Sequence, residues 1–263
     1  MARLQAGRGR LVEDEGPEMI HYHGTPIGGS RQDTARFLNG RHALVPFPRM
    51  DDMPIVADVC KTFVFDNGAF STWKRGLAMD VVGYMHWVEE WCRHPGFQWA
   101  LIPDEIEGNE ADNDAQISAW LSSSVALYGV PVWHMHESIK RLQRLAKQWS
   151  TVALGSSGQW PTPGTEAWWT RMSNAMDAIC DEKGRPSCKL HGLRMMDPEI
   201  FQFLPLSSAD STNAAVNAGS ISRFGCYLPP TSAQRAAIIA ERIEAFNSAS
   251  VWIKKPRQVL MDV

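Results

Sequence analysis

Three carboxylates stand out by their settings. Asp66 ends an apolar run in F-V-F-D-N-G, beside Asn67 and Gly68. Asp104 and Glu105 close A-L-I-P-D-E. Asp210 sits among small residues in S-S-A-D-S-T-N, where nothing apolar requires it. Carboxylates brought from separate segments to one pocket suit glycosidic chemistry: one attacks an anomeric carbon while another manages a proton. A lone Asp at a strand end more often caps the following helix; three of them are harder to explain that way. His134 and His136, in W-H-M-H, would face one side of a strand, as two zinc ligands can. With His23 and Asp210 they would imitate a metal-dependent hydrolase, while lining a pocket as hydrogen-bond partners is the plainer reading. Gly155 and Ser156 in G-S-S-G leave room for a flat ligand and supply backbone N–H groups. His191 and Arg194 close a further run, H-G-L-R. Lys74 and Arg75 follow the Asp66 run, and either contact a phosphate or form a solvated loop.

Elements must carry these residues to one place. Apolar runs of strand character recur at 19–26, 42–47, 62–68, 97–105, 130–136, 151–158, 189–196 and 203–211. Segments of helical spacing lie between them, at 80–92, 109–128, 138–149, 165–180, 197–203 and 231–246. Ser232 is a candidate cap for the last of these. In the 138–149 segment, Lys140, Arg141, Arg144 and Lys147 form a basic face opposite an apolar one, and that face reads as solvated. The unit at 50–59 is weak, with Pro48 and Pro54 against a long helix. Strand then helix, eight times, predicts an α/β fold: a single (β/α)8 barrel spanning 19–263, with residues 1–18 as a loose arm. A doubly wound open sheet competes, but no G-x-G-x-x-G follows the first strand. In a barrel, active sites lie at the strands' C-terminal ends, which is where every candidate above falls.

Composition excludes other classes. With 44% hydrophobic and 21% charged residues, the chain of 263 residues is not disordered. Its 26 basic and 29 acidic residues give a net charge of −3, so nucleic acid is bound by a local patch or not at all. Five Cys, an odd number with no C-x-x-C pair, argue against a disulfide framework and fit a reducing cytoplasm. The N-terminus lacks the apolar stretch of a signal peptide, and the uncharged stretch 115–136 is broken by Ser, Gly and Pro, so no membrane span is expected.

The ordered strand ends resemble the tRNA-guanine transglycosylase superfamily, (β/α)8 barrels that exchange guanine for a 7-deazaguanine. F-D-N-G-A-F (65–70) is similar to the family's D-S-G-G-Y, implying that Asp66 is the acid/base residue. P-D-E (103–105) resembles its base-reading L-D-E, so Asp104 would contact the base. V-W-H-M (132–135) falls where the family has V-Q-G, placing His134 in the pocket. A-L-G-S-S-G (153–158) resembles its I-G-G-L, placing Gly155 against the base. S-A-D-S (208–211) falls where the nucleophilic Asp stands, which implies Asp210.

Two departures matter. The family's C-x-C-x-x-C plus His zinc site is missing, since only Cys226 follows Asp210 among the cysteines, and the chain is shorter. Both departures, with H-G-T-P-I-G-G (23–29) and H-G-L-R (191–194), resemble the phage-type relatives that place 7-deazaguanines into DNA. The resemblance therefore implies a DNA-guanine transglycosylase acting on a DNA substrate with a base such as preQ0 or a derivative, and neither metal nor cofactor. Asn67, Phe70, Glu105, His136, Ser156, His191 and Arg194 would help bind substrate. Lys74 and Arg75, with Arg8, Arg10, Lys254, Lys255 and Arg257 at the termini, would meet phosphates. A tRNA-acting enzyme, a metal-dependent barrel hydrolase and a non-catalytic binding barrel are the alternatives.

Overall fold

A computed structural model describes residues 18–25, 29–217 and 228–253. Nine short strands form one sheet: β1 (Ile20–Gly24), β2 (His42–Pro46), β3 (Thr62–Asp66), β4 (Phe97–Leu101), β5 (Gly129–Val130), β6 (Val132–His134), β7 (Thr151–Gly155), β8 (Lys189–Gly192) and β9 (Ser208–Ser211). Every pairing is parallel. The order β5-β4-β3-β2-β1-β9-β8-β7-β6 puts at its two ends strands that only Pro131 separates in the chain. The sheet is thus a nearly closed, TIM-like barrel. The expected run 130–136 is two strands because Pro131 has no N–H for a ladder. Val130 accepts from Ile102 on one side, and Pro131 accepts from Ala153 on the other.

Ten helices wrap the described residues: α1 (Arg31–Leu38), α2 (Met53–Val59), α3 (Ala69–Lys74), α4 (Val81–Trp91), α5 (Glu110–Leu121), α6 (Ile139–Gln148), α7 (Glu166–Ile179), α8 (Pro198–Phe201), α9 (Asn213–Asn217) and α10 (Ser232–Glu244). Pro48 and Pro54 do not break the weak second unit. They stand in the first turns of a 3-10 segment and of α2, where a missing N–H is no loss. The cap of α10 is Thr231 rather than Ser232, with Gln234 completing a capping box. None of these helices is long and apolar enough to cross a membrane.

Alternation along the strands sorts side chains into two layers. Phe63, Phe65, Trp133, Val152, Leu154, Leu190 and Ala209 face outward and pack with helix residues such as Trp87 and Leu142. Phe65 stacks on Trp87 at 3.7 Å. Tyr22, Leu44, Val64, Leu101, Val132 and Ala153 fill the barrel around Trp99. The same parity turns Asp66, His134, Gly155, His191 and Asp210 inward.

The basic face expected on α6 is not wholly solvated. Arg141 is 2% exposed and pairs with the buried Glu137 at 2.6 Å. It also donates to Val132 O at 2.9 Å and Asp114 at 3.0 Å. Glu137 in turn accepts from Asn113 and from His134 N–H, both at 2.9 Å. A guanidinium turns inward here because a buried carboxylate must be paired. Arg141→Met would strand that carboxylate, and we expect a loss of about 3–5 kcal/mol in urea unfolding. A loss below about 1 kcal/mol would show that the pair does not hold the end of β6.

Candidate active site

The inward residues at the C-terminal ends of the strands surround one cavity of about 700 Å³, its open mouth included. Asp66, Asn67, Phe70, Asp104, His134, Gly155, Ser156, Arg194 and Asp210 all reach its wall. Leu44, Leu101, Ile106, Pro161, Pro163 and Leu193 complete it with apolar surface. The mixture suits a flat, partly polar ligand.

Asp66 is the last residue of β3. Its Oδ1 accepts from Gly68 N–H at 3.1 Å. Gly68 adopts a left-handed φ of 78°, and a Cβ there would lie 2.5 Å from Pro48 Cδ. Only glycine fits this turn. Burial is the main reason that the Asp66 carboxyl is pushed up to about 7; Asp210 and Asp104 add repulsion, while Gly68 N–H and the Arg194 charge partly offset it. Such a group gives and takes a proton near neutral pH.

Asp104 is held differently. Asn67 Nδ2 donates to its Oδ1 at 2.6 Å, and His134 Nε2 lies 2.8 Å from its Oδ2. Both Asn67 amide hydrogens are engaged, since it also donates to Ile102 O, and its Oδ1 accepts from Ala69 N–H. It therefore positions Asp104. His134 stands against Gly155, where an added Cβ would meet its Nδ1 at 3.2 Å. A side chain at 155 would crowd both His134 and the cavity. Ser156 accepts from the buried Trp168 indole at 2.9 Å, which fixes this corner.

Asp210 is 6% exposed and opens on the same cavity. Its Oδ1 accepts from Arg194 N–H at 2.9 Å. Arg194 has φ 57°, the one positive-φ non-glycine among the described residues, a strained state typical of functional positions. That conformation aims the N–H at Asp210, while the guanidinium lies 3.4 Å above the Phe70 ring. Beneath Asp210, His191 is fully buried: its Nε2 lies 3.4 Å from Asp210 Oδ1 and its Nδ1 2.9 Å from Ser208 Oγ.

Some expected residues lie off the cavity. His191 lies beneath Asp210, with no hydrogen bond from its Nε2 to a described residue, and is not among the cavity-lining residues. His136 has both ring nitrogens engaged, by Ser157 Oγ at 2.8 Å and Gly108 O at 3.0 Å, so it ties two loops together. Glu105 lines an adjoining groove, and Lys74 and Arg75 are exposed at the end of α3. The residues of a metallohydrolase site do not converge: His23 is bound to Glu244 at 2.7 Å. Among the described residues no three His, Cys, Asp or Glu form a metal-holding group. Arg8, Arg10, Cys226, Lys254, Lys255 and Arg257 lie outside the described residues. Sequence reading missed the apolar wall; the W-P-T-P-G segment that supplies Pro161 and Pro163 was its one visible sign.

No family model, no curated protein and no solved structure matches the chain.

The sign of the pH dependence follows from Asp66. Its ordinary value is 3.8 and its folded value about 7. A carboxyl with a raised folded pKa contributes stability that is complete below the unfolded value and is lost as pH rises through the folded one. Asp66→Asn stays neutral throughout. Urea titrations should therefore show the variant gaining a few kcal/mol on wild type between about pH 4 and about pH 8. A difference that does not change with pH would contradict the raised value.

Proposed function

We propose that this chain is a DNA-guanine transglycosylase, which exchanges guanine in DNA for a 7-deazaguanine through a covalent intermediate on Asp210. One observation carries the reading: two carboxylates of unlike environment, Asp66 and Asp210, open on a single cavity that also holds Asp104 and Gly155. Counting 129–134 as one strand interrupted at Pro131 makes the fold a (β/α)8 barrel. The zinc subdomain of the tRNA enzymes is taken to be lacking, since 211–230 contains one Cys and no His. We place the enzyme in a cytoplasm, that of the host if a phage encodes it.

In this mechanism the Asp210 carboxylate attacks C1′ of the target deoxyguanosine. The C1′–N9 bond breaks, and its electron pair leaves with guanine, which takes the Asp66 proton. Asp66, now a carboxylate, accepts the N9 proton of the incoming base. That base attacks C1′, and the ester bond to Asp210 breaks. Protons and charge balance over the cycle. Asp104, held by Asn67 and His134, presents its remaining lone pairs to the donor edge of the base, and Gly155 permits close approach of the ring. Because Asp66 and Asp210 lie at the barrel mouth, out of reach of a base stacked in a duplex, the target nucleotide is flipped out or already single-stranded.

The test is incorporation of labelled guanine into matched DNA and tRNA with a chelator present. DNA should be labelled, and Asp210→Asn should lower exchange by at least about a thousand-fold. Exchange on tRNA alone, loss of activity on stripping zinc, or wild-type-like exchange by Asp210→Asn would overturn the reading.

A further inference from the structure

The rim of the cavity is electrically lopsided. On the β4–α5 side, residues 103–116 carry Asp104, Glu105, Glu107, Glu110 and Asp112 and no Lys or Arg; Asp114 of the same stretch is paired with Arg141 and Arg144. On the α3 side, residues 67–79 carry Lys74 and Arg75 and no Asp or Glu. The two walls face each other across one groove, with Thr72 and Trp73 on one side and Glu105, Glu107 and Asp112 on the other, so a polyanion is steered towards the cationic end of α3.

The second wall also carries a run of flat groups. The Arg194 guanidinium lies 3.4 Å over Phe70 at the cavity mouth. The Phe70 ring is 5.6 Å from that of Trp73. Trp73 is 44% exposed although it is one of the largest apolar side chains. Lys74 and Arg75 follow at the end of α3. Nothing in the core needs Trp73, whereas Trp120, Trp133 and Trp168 are fully buried. Flat faces leading out of a pocket and ending in cations are the footprint of a single strand, whose bases stack while its phosphates meet the charges. A duplex keeps its bases stacked on one another and has no face to offer Trp73.

We infer that α3 is the track for single-stranded DNA, with Trp73 stacking on the nucleotide that flanks the reacting one and Lys74 and Arg75 holding its phosphates. This inference rests on the proposed reaction for its choice of polymer, but its test does not. Anisotropy of a short fluorescein-labelled single strand, with the same sequence as a blunt duplex for comparison, reads the track directly. The single strand should bind more tightly than the duplex. Trp73→Ala should weaken single-strand binding about ten-fold or more, with Trp73→Phe restoring most of it. Lys74→Ala with Arg75→Ala should lower the slope of log affinity against log salt by about 1.4. Weakened binding by Trp73→Ala in a protein that shows no base exchange supports the track and removes the reaction. Exchange with unchanged KM for DNA in Trp73→Ala overturns the track and leaves the reaction. No difference between single strand and duplex, or no binding of either, also overturns the track.

Discussion

Three carboxylates share one poorly solvated barrel mouth, and the site is organised around that constraint. The guanidinium of Arg194, which reaches the same cavity, lies over Phe70. Among the described residues, directional donors reach the carboxylate oxygens. Asp104 receives Asn67 and His134 on its two oxygens, and Asp210 receives the Arg194 backbone N–H with His191 behind it. Among the described residues, Asp66 receives one donor, the N–H of Gly68. Burial and an unequal supply of donors give chemically alike groups unlike surroundings.

Much of the surrounding structure serves this distribution. Strand alternation turns the three side chains inward, and the outer layer of Phe63, Phe65 and Trp87 holds β3 in that phase. Glu137 and Arg141 grip the end of β6 through the His134 N–H, so the imidazole that supports Asp104 is anchored by a buried ion pair. Trp168 fixes Ser156, and Pro48 packs on Gly68. A left-handed Arg194 is tolerated because its N–H is the donor that Asp210 requires.

The barrel was legible in the sequence because apolar runs and helical segments alternate with little interruption. Asp66, Asp104, His134, Gly155 and Asp210 were legible for a related reason: parallel strands end at one face, so strand-end residues meet there. Where the strand stops, that logic stops with it. His136 shares the parity of His134, but β6 ends at His134 and the chain turns, sending His136 to Ser157 and Gly108. His191 keeps its parity yet sits one layer deeper, under Asp210. Arg141 looked like part of a solvated face because charge type alone does not reveal a buried partner four residues away. The division of strand five depended on one missing N–H at Pro131, too local for a hydrophobic pattern to register.

The most direct test of this account is an NMR titration of isotope-labelled aspartate carboxyl carbons, in wild type and in Asp66→Asn. The account predicts one carboxyl in the wild type that titrates at about 7 and is missing from the variant. A wild-type protein whose aspartates all titrate below about 5, the ordinary carboxylate range, would contradict the raised Asp66 carboxyl and the proposed division of labour built on it.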